Sequence, residues 1–532
     1  MDQIWWKKSI IYHIYPRSFY DSNGDGIGDI QGIIQKLPYL VGLGIDAIWL
    51  SPIYRSPQTD FGYDVSDYME IDPIFGQMSD FDELIELCHQ NGIRLIMDLI
   101  MNHTSNQHPW FVESAASEQN PKRDWYIWQA NTNTKPINNW MSAFGGSAWS
   151  LDKTTNSWYL HSFTPEQPDL NWRNKDMSQA YFDMVEFWLR KGVDGFRLDV
   201  VNMIVKDKSF RNNPLYFNIP FFQKHKYNRN RASTFEIIKK LRSIVDQYNE
   251  RVLIGEVYVS PPGSPKIVRR FIKLGKKRLH LAFDFSIIFK RFTAKNYFKY
   301  LKKLSKKQSG IEWACHVFSN HDLGRSYNRF PLTFSKEKKA KMQAVFQFTI
   351  PGTPFVYYGE ELGLSNAKVP KSYLQDPLGK KYWPIYSGRD QYRNPMPWTS
   401  GKHSGFTIDK PWLPIARVNA SKNVQNQIHN PNSMWVLYNS LIELKKHKQA
   451  LITGSLEFYI EGKNGILAYS RSDNHQSILV IINFNYTSRR IELPSDAIYD
   501  LVFGTSMQAQ ANIISHRIDC QGLSATILER RE

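Results

Sequence analysis

Eight short runs rich in β-branched and apolar residues alternate with amphipathic segments along the chain: Ile10–Tyr15, Ala47–Leu50, Arg94–Ile100, Gly195–Val200, Val252–Val257, His280–Phe285, Ala314–Ser319 and Phe355–Tyr358. Alternation of this kind is the pattern of βα units around a parallel sheet. Eight such units predict an α/β chain closed into a (β/α)8 TIM barrel. About ninety residues separate the third run from the fourth, and 103–172 is rich in Trp, Asn, Ser, Gln and Pro. A structureless loop of that length is rare inside a compact domain, so the interval is predicted to be an inserted subdomain. Beyond the helical segment Ser433–Lys446, the runs Ile466–Ser470, Ser477–Phe484 and Arg489–Glu492 alternate like antiparallel strands. The predicted organisation is a barrel first part over 1–103, an inserted B subdomain over 104–174, a barrel second part over 175–452, and a C-terminal antiparallel β-sandwich domain over 453–532.

Composition narrows the class. A chain of 532 residues that is 42% hydrophobic and 14% aromatic is globular. No stretch approaches the ~20 apolar residues of a membrane span, so no membrane partner is expected. Met1–Tyr15 has neither the apolar core nor the cleavage site of a signal peptide. The three cysteines, Cys88, Cys315 and Cys520, are odd in number and widely spaced, which favours a reducing, cytoplasmic setting. The sequon at Asn485 is then idle. The net charge of +17 concentrates from Lys266 to Lys307, in Arg269-Arg270, Lys276-Lys277-Arg278, Lys302-Lys303 and Lys306-Lys307. No nucleic-acid motif accompanies it, so the reading preferred is a solvated outer face on barrel helices, with nucleic-acid binding the rival. A monomer or homodimer is expected.

In a barrel of this kind chemistry sits where strands end. The third run leads into Asp98-Leu99-Ile100-Met101-Asn102-His103, and the fourth ends Gly195-Phe196-Arg197-Leu198-Asp199. The fifth ends Gly255-Glu256 and the seventh leads into Ser319-Asn320-His321-Asp322. Acids, an arginine and two histidines thus meet at one rim. A single strand-terminal acid is often only a helix cap. Four such strands together point to a site. His103 and His321 lack the partner spacing of metal ligands and suit hydrogen bonding to a substrate instead.

At these segments the chain resembles the α-amylase superfamily of glycoside hydrolases (family 13). The resemblance rests on Phe196–Asp199 (F-R-x-D), Gly255-Glu256, Asn320–Asp322 (N-H-D), Gly62–Tyr68 (GYDVSDY), Phe144–Trp149 (FGGSAW), Gln167–Asn171 (QPDLN), Tyr358–Leu362 (YGEEL) and Arg393–Trp398 (RNPMPW). The QPDLN stretch resembles the α-glucosidase and oligo-1,6-glucosidase branch. The resemblance implies Asp199 as nucleophile, Glu256 as acid/base and Asp322 as the third acid that binds sugar hydroxyls. It places Asp60, Tyr63, Phe163, Gln167 and Arg393 around the first sugar, with Phe144 as a further contact. Asp60 and Arg393 would be the pair that grips the non-reducing end of a small oligosaccharide. Val200 would lie near the next sugar, where a valine in relatives accompanies α-1,6 preference; Val257-Tyr258 departs from the Met- or Ala-containing relatives.

The retaining mechanism needs two carboxyls flanking the glycosidic bond. Arg197, two residues from Asp199 and on the same face, should favour the ionised nucleophile, while Glu256 needs a raised pKa. The rivals are a glucosyl transferase or sucrose isomerase on the same scaffold, and a non-enzymatic transporter heavy chain. The heavy chains lose the acids that this chain keeps.

Asp21–Asp29 (DSNGDGIGD) sets oxygen donors at alternate positions, a spacing that suits Ca²⁺ or Mg²⁺. Gly32 occupies the twelfth position, where an EF-hand needs Glu, and the glycines miss the G-x-G-x-x-G register. The resemblance implies a structural ion held by Asp21, Asn23, Asp25, Asp29 and the Ile27 carbonyl. A metal-free Asx-rich turn is the alternative.

Overall fold

The computed structural model describes residues 4–131, 135–216, 223–258, 265–272, 277–305, 313–330, 335–416, 421–494, 497–506 and 513–531. Eight parallel strands form the central sheet: β1 (Ile11–Ile14), β2 (Ala47–Leu50), β3 (Arg94–Leu99), β4 (Gly195–Leu198), β5 (Val252–Gly255), β6 (Leu281–Ala282), β7 (Cys315–Val317) and β8 (Thr353–Tyr357). Their spatial order is β6-β5-β4-β3-β2-β1-β8-β7. One parallel bridge, Asp284 to His316, joins the two ends into a barrel.

The strands are buried on both faces, and their period of two sorts side chains between two cores. Ile11, Ala47, Trp49, Ile96, Val252, Ile254, Leu281, Cys315, Val317 and Phe355 form the barrel interior. Their neighbours Tyr12, Ile48, Leu95, Leu253 and Val356 pack outward under the helices. Gly195 opens β4 because a Cβ there would sit 2.3 Å from the Val252 carbonyl oxygen on β5. Two steps past the last apolar inward residues, the same face carries His13, Asp98, Arg197 and Glu256.

Seven of the eight expected strands end one to three residues early, two of them for a visible local reason. His280–Phe285 keeps only Leu281–Ala282 in the ladder, because the Asp284 side chain caps a short 3-10 turn over Phe285–Ile287 by accepting from Ser286 N. Gly195–Val200 stops at Leu198, since Val200 turns to a φ of +33°.

Between β3 and β4 lie the helix Pro109–Ala116 and a three-stranded antiparallel sheet of Trp128–Ala130, Ser157–Leu160 and Trp149–Asp152. Ile127, Trp140, Ala148, Trp149 and Leu160 make its small core. The irregular stretch between β4 and the helix Thr234–Val245 packs against it through Phe210 and Tyr227. Trp140 Nε1 donates to the Arg211 carbonyl at 2.9 Å. After the helix Met434–His447, capped by Ser433, an antiparallel six-stranded sheet and a two-stranded sheet enclose Ile466, Ala468, Leu479, Ile481, Ile491 and Leu528. Among the described residues no helix is long and apolar enough to cross a membrane.

The basic residues Lys266, Arg270, Lys295, Lys299, Lys302 and Lys303 are exposed on the helices Pro265–Phe271 and Ala294–Ser305. Tyr297, Phe298, Leu301 and Leu304 are buried on the other side of the second helix. Lys276, Lys306 and Lys307 lie outside the described residues.

Candidate active site

Strand register builds the centre. Asp98 on β3 and Ile254 on β5 are the two neighbours of Arg197 on β4. Arg197 is fully buried, and its Nη1 donates to Asp98 at 2.8 and 3.0 Å and to Asp199 Oδ1 at 2.9 Å. Its Nη2 donates to Glu256 Oε2. Glu256 follows β5 by one residue and is tied to β4 by Glu256 N to the Leu198 carbonyl, 2.9 Å, and Val201 N to the Glu256 carbonyl, 3.0 Å. The Val200 N–H points at Glu256 Oε2, 3.4 Å away.

One guanidinium thus serves three carboxyls. Burial raises Asp199 well above the usual carboxylate range; Arg197 opposes this, and Glu256, Asp98 and Asp322 reinforce it. Glu256 is raised by burial too, again opposed by Arg197. The cation cannot neutralise all three groups, so the cluster retains a proton that an isolated pair would release. Arg197 therefore favours the ionised form of Asp199, as expected, but burial and the neighbouring carboxyls outweigh it. Asp322 behaves oppositely. Burial alone would raise it, yet His321, Arg389 and Arg393 hold it well below the usual range.

His321 Nε2 lies 2.9 Å from Asp322 Oδ2 and 2.8 Å from Tyr63 Oη, and the Tyr63 hydroxyl donates to Asp98 Oδ2 at 2.9 Å. An ionised Asp322 only accepts, so Nε2 carries the proton. Burial lowers His321 to about 4, which keeps the ring neutral.

These groups floor a cavity of about 410 Å³ lined by Asp60, Tyr63, His103, Phe144, Phe163, Asp199, Val200, Glu256, Asp322 and Arg389. Ala143, Tyr258, Phe285, Phe289, Leu323, Leu378 and Tyr386 complete the lining. Arg197, Gln167, His321 and Arg393 stand behind this lining and are fully buried. Gln167 Nε2 reaches Asp60 Oδ2 and the Tyr63 carbonyl, each at 3.3 Å. His103 Nε2 also meets the Tyr63 carbonyl, at 2.9 Å.

Of the two residues expected to grip the sugar's non-reducing end, Asp60 lines the cavity and Arg393 does not. Asp60 pairs with Arg389 at 2.5 Å, and Arg389 also binds Asp376 at 2.6 Å and Asp322 at 3.0 Å. Arg393 instead binds Asp322 at 3.0 Å and the His321 carbonyl at 2.9 Å. The two arginines flank the 3-10 turn Asp390–Tyr392, which presents Arg389 to the cavity and leaves Arg393 beneath it. Arg389 was legible four residues before Arg393 in GRDQYRNP; nothing in the sequence singles out Asp376.

The 21–29 loop is a chain of Asx turns. Asp21 accepts from the N–H groups of Asn23, Gly24 and Gly26, Asn23 from Asp25, Asp25 from Ile27, and Asp29 from Ser22 and Gly32. Gly26 has φ +89° and a virtual Cβ 2.2 Å from the Lys410 carbonyl oxygen, so only glycine fits. The donors are all hard oxygens, which suits Ca²⁺ or Mg²⁺. Among the described residues no three His, Cys, Asp or Glu side chains converge as a metal site.

The α-amylase catalytic domain family matches residues 13–454. The chain is 40% identical over 508 residues to a probable alpha-glucosidase of Rhizobium meliloti (strain 1021), covering 93% of this chain and 92% of the relative. It is 37% identical over 530 residues to an oligo-1,6-glucosidase of Parageobacillus thermoglucosidasius, covering 94% of each. The solved isomaltulose synthase from Klebsiella sp. LX3 superposes with a TM-score of 0.92 at 32% identity, over all of both chains.

Proposed function

Because the chain belongs to the α-amylase catalytic-domain family and is a glycoside hydrolase, we propose that it is a retaining, exo-acting α-glucosidase on short α-glucosides. The observation that carries this reading is the shared guanidinium of Arg197, which draws Asp199 and Glu256 together at the floor of a cavity bounded by the Asp60–Arg389 pair.

In the reacting form the cluster's retained proton is on Glu256; the ionised Asp199 attacks the anomeric carbon as the glycosidic C–O bond breaks, and Glu256 passes that proton to the leaving oxygen. Glu256 then takes a proton from water, which displaces Asp199. Asp322, held ionised, accepts hydrogen bonds from sugar hydroxyls. The Asp60–Arg389 pair closes the glucose end, so products are single glucose units. Asp199→Asn and Glu256→Gln should each abolish nearly all turnover on an α-glucoside with Tm unchanged. Early release of long fragments from an oligosaccharide contradicts the exo mode.

Val200 lines the cavity beside Glu256 and supports α-1,6 or mixed α-1,4/α-1,6 cleavage. An unchanged isomaltose-to-maltose ratio in Val200→Thr removes that support. The likeness to an isomaltulose synthase favours one second reading, transfer of the glucosyl group to a sugar. Incubation with sucrose or concentrated maltose separates the two by whether new oligosaccharides form.

The 21–29 loop is proposed to hold a structural Ca²⁺ or Mg²⁺ through Asp21, Asn23, Asp25, Asp29 and the Ile27 carbonyl, on the chemistry of those donors. A cytoplasmic location is supported by Cys88, Cys315 and Cys520, all free and buried.

A further inference from the structure

A buried asparagine clamps the segment after the proposed acid/base to the loop after the proposed nucleophile. Asn202 is fully buried, and its Oδ1 accepts from Tyr258 N at 2.9 Å while its Nδ2 donates to the Tyr258 carbonyl at 2.7 Å. The side chain thereby pairs with that residue's backbone as a neighbouring strand would. The second Nδ2 hydrogen goes to Asn230 Oδ1 at 3.0 Å, and Asn230 N returns to the Asn202 carbonyl at 2.8 Å. Asn230 sits at φ +58°, a left-handed conformation that asparagine tolerates better than most residues.

The residue before it, Arg229, is 4% exposed, and its guanidinium lies 4.8 Å from the centre of the Tyr258 ring. Its Nε and Nη1 have no hydrogen-bond partner, and no carboxylate pairs with it, among the described residues. Burial lowers this arginine to about 10. A buried cation without a counter-ion costs stability, and an apolar residue of similar volume is commonly at least as stable there. What the guanidinium does have is the electron-rich face of an aromatic ring.

Tyr258 is 45% exposed and lines the cavity two residues beyond Glu256. Tyr258 and the half-exposed Phe289 line the same cavity as Asp60 and Arg389, and Tyr258 follows by two residues the acid proposed to protonate the leaving group.

We infer that Asn202 and Arg229 are positioning residues that hold the Tyr258 ring as a fixed wall for the leaving group of an α-glucoside. Asn202 fixes the backbone of the wall and Arg229 fixes its ring. The inference rests on the α-glucosidase reading above.

Two substrates test it: α-D-glucopyranosyl fluoride, whose leaving group has no ring to meet the wall, and isomaltose or maltose, whichever the unaltered protein cleaves faster. In Arg229→Met, kcat/KM on the disaccharide should fall about tenfold, chiefly through KM, with the fluoride rate held within about twofold. Arg229→Lys keeps a cation at the ring and should recover most of the loss. The Tm of Arg229→Met should be no lower than that of the unaltered protein. Asn202→Ala should move the ratio between the two substrates in the same direction. An equal fall on both substrates, a disaccharide rate that does not change, or a lysine variant no better than methionine overturns the inference. If the unaltered protein cleaves neither substrate, the α-glucosidase reading itself fails, and the wall fails with it.

Discussion

Asp98 and Arg197 are register partners on adjacent parallel strands, and their side chains meet at 2.8 Å inside the barrel. Because both point inward from the same rung, the salt bridge is a direct consequence of the pairing of β3 with β4. It sets the guanidinium where Asp199, one residue beyond β4, and Glu256, one residue beyond β5, both reach it. The spacing of Asp199 and Glu256 is therefore inherited from the sheet.

That arrangement predicts a pH shift. The charge of Asp98 is one of the influences that raise Asp199. Removing it in Asp98→Asn should lower the Asp199 pKa and move the acid limb of the kcat/KM profile to lower pH. A limb that stays in place, or moves up, contradicts the shared-proton account.

Arg389 carries Asp60, Asp376 and Asp322. Arg389→Met leaves Asp60 and Asp376 buried without a counter-ion, which should cost about 3–5 kcal/mol of stability. On the proposed function the same variant should lose kcat/KM at least about 100-fold, mostly through KM, since the proposed grip on the glucose end is gone. Denaturant unfolding and steady-state kinetics read the two effects separately.

Glu360 is buried, accepts from Ser319 Oγ at 2.5 Å and from Tyr438 Oη at 3.2 Å, and is raised by burial from 4.5 to about 7. The folded pKa lies above the unfolded one, so its stability contribution is complete below about pH 4.5 and declines as pH rises toward 7. The loss amounts to about 3 kcal/mol. Glu360→Gln should flatten the stability profile between those limits, measured by urea unfolding across pH. A profile identical to that of the unaltered protein rules out this group as its source.

Chelator dialysis should lower Tm, and Ca²⁺ or Mg²⁺ should restore it. Asp25→Ala should abolish the response, because Asp25 contributes an exposed carboxylate to the loop. A metal response that survives in Asp25→Ala places the ion elsewhere; no response in either protein leaves the loop as a set of Asx turns.

Much of this was written in local pattern. All eight barrel strands overlap runs that period and composition mark out, because a strand buried on both faces is apolar along most of its length, with His13, Asp98 and Arg197 as exceptions at the site. Asp199, Glu256 and Asp322 are visible as polar residues where those runs stop. The helix Met434–His447 is equally plain, with Ser433 accepting from Val436 N as its cap.

Long-range partners were not visible. Asp60 and Arg389 are 329 positions apart, and no local rule prefers Arg389 over Arg393. Which of them faces the cavity depends on one 3-10 turn, whose path is set by packing. Val200 reads as a strand residue, yet the chain must turn there to bring its N–H to Glu256. Asn202 and Arg229 carry no motif at all, and their relation to Tyr258 arises only when two loops meet. The sequence alone determined the barrel and which residue types crown it, since burial writes a period into each strand. The tertiary structure decided who pairs with whom, because loop paths and ion pairs depend on contacts between segments that leave no periodic trace.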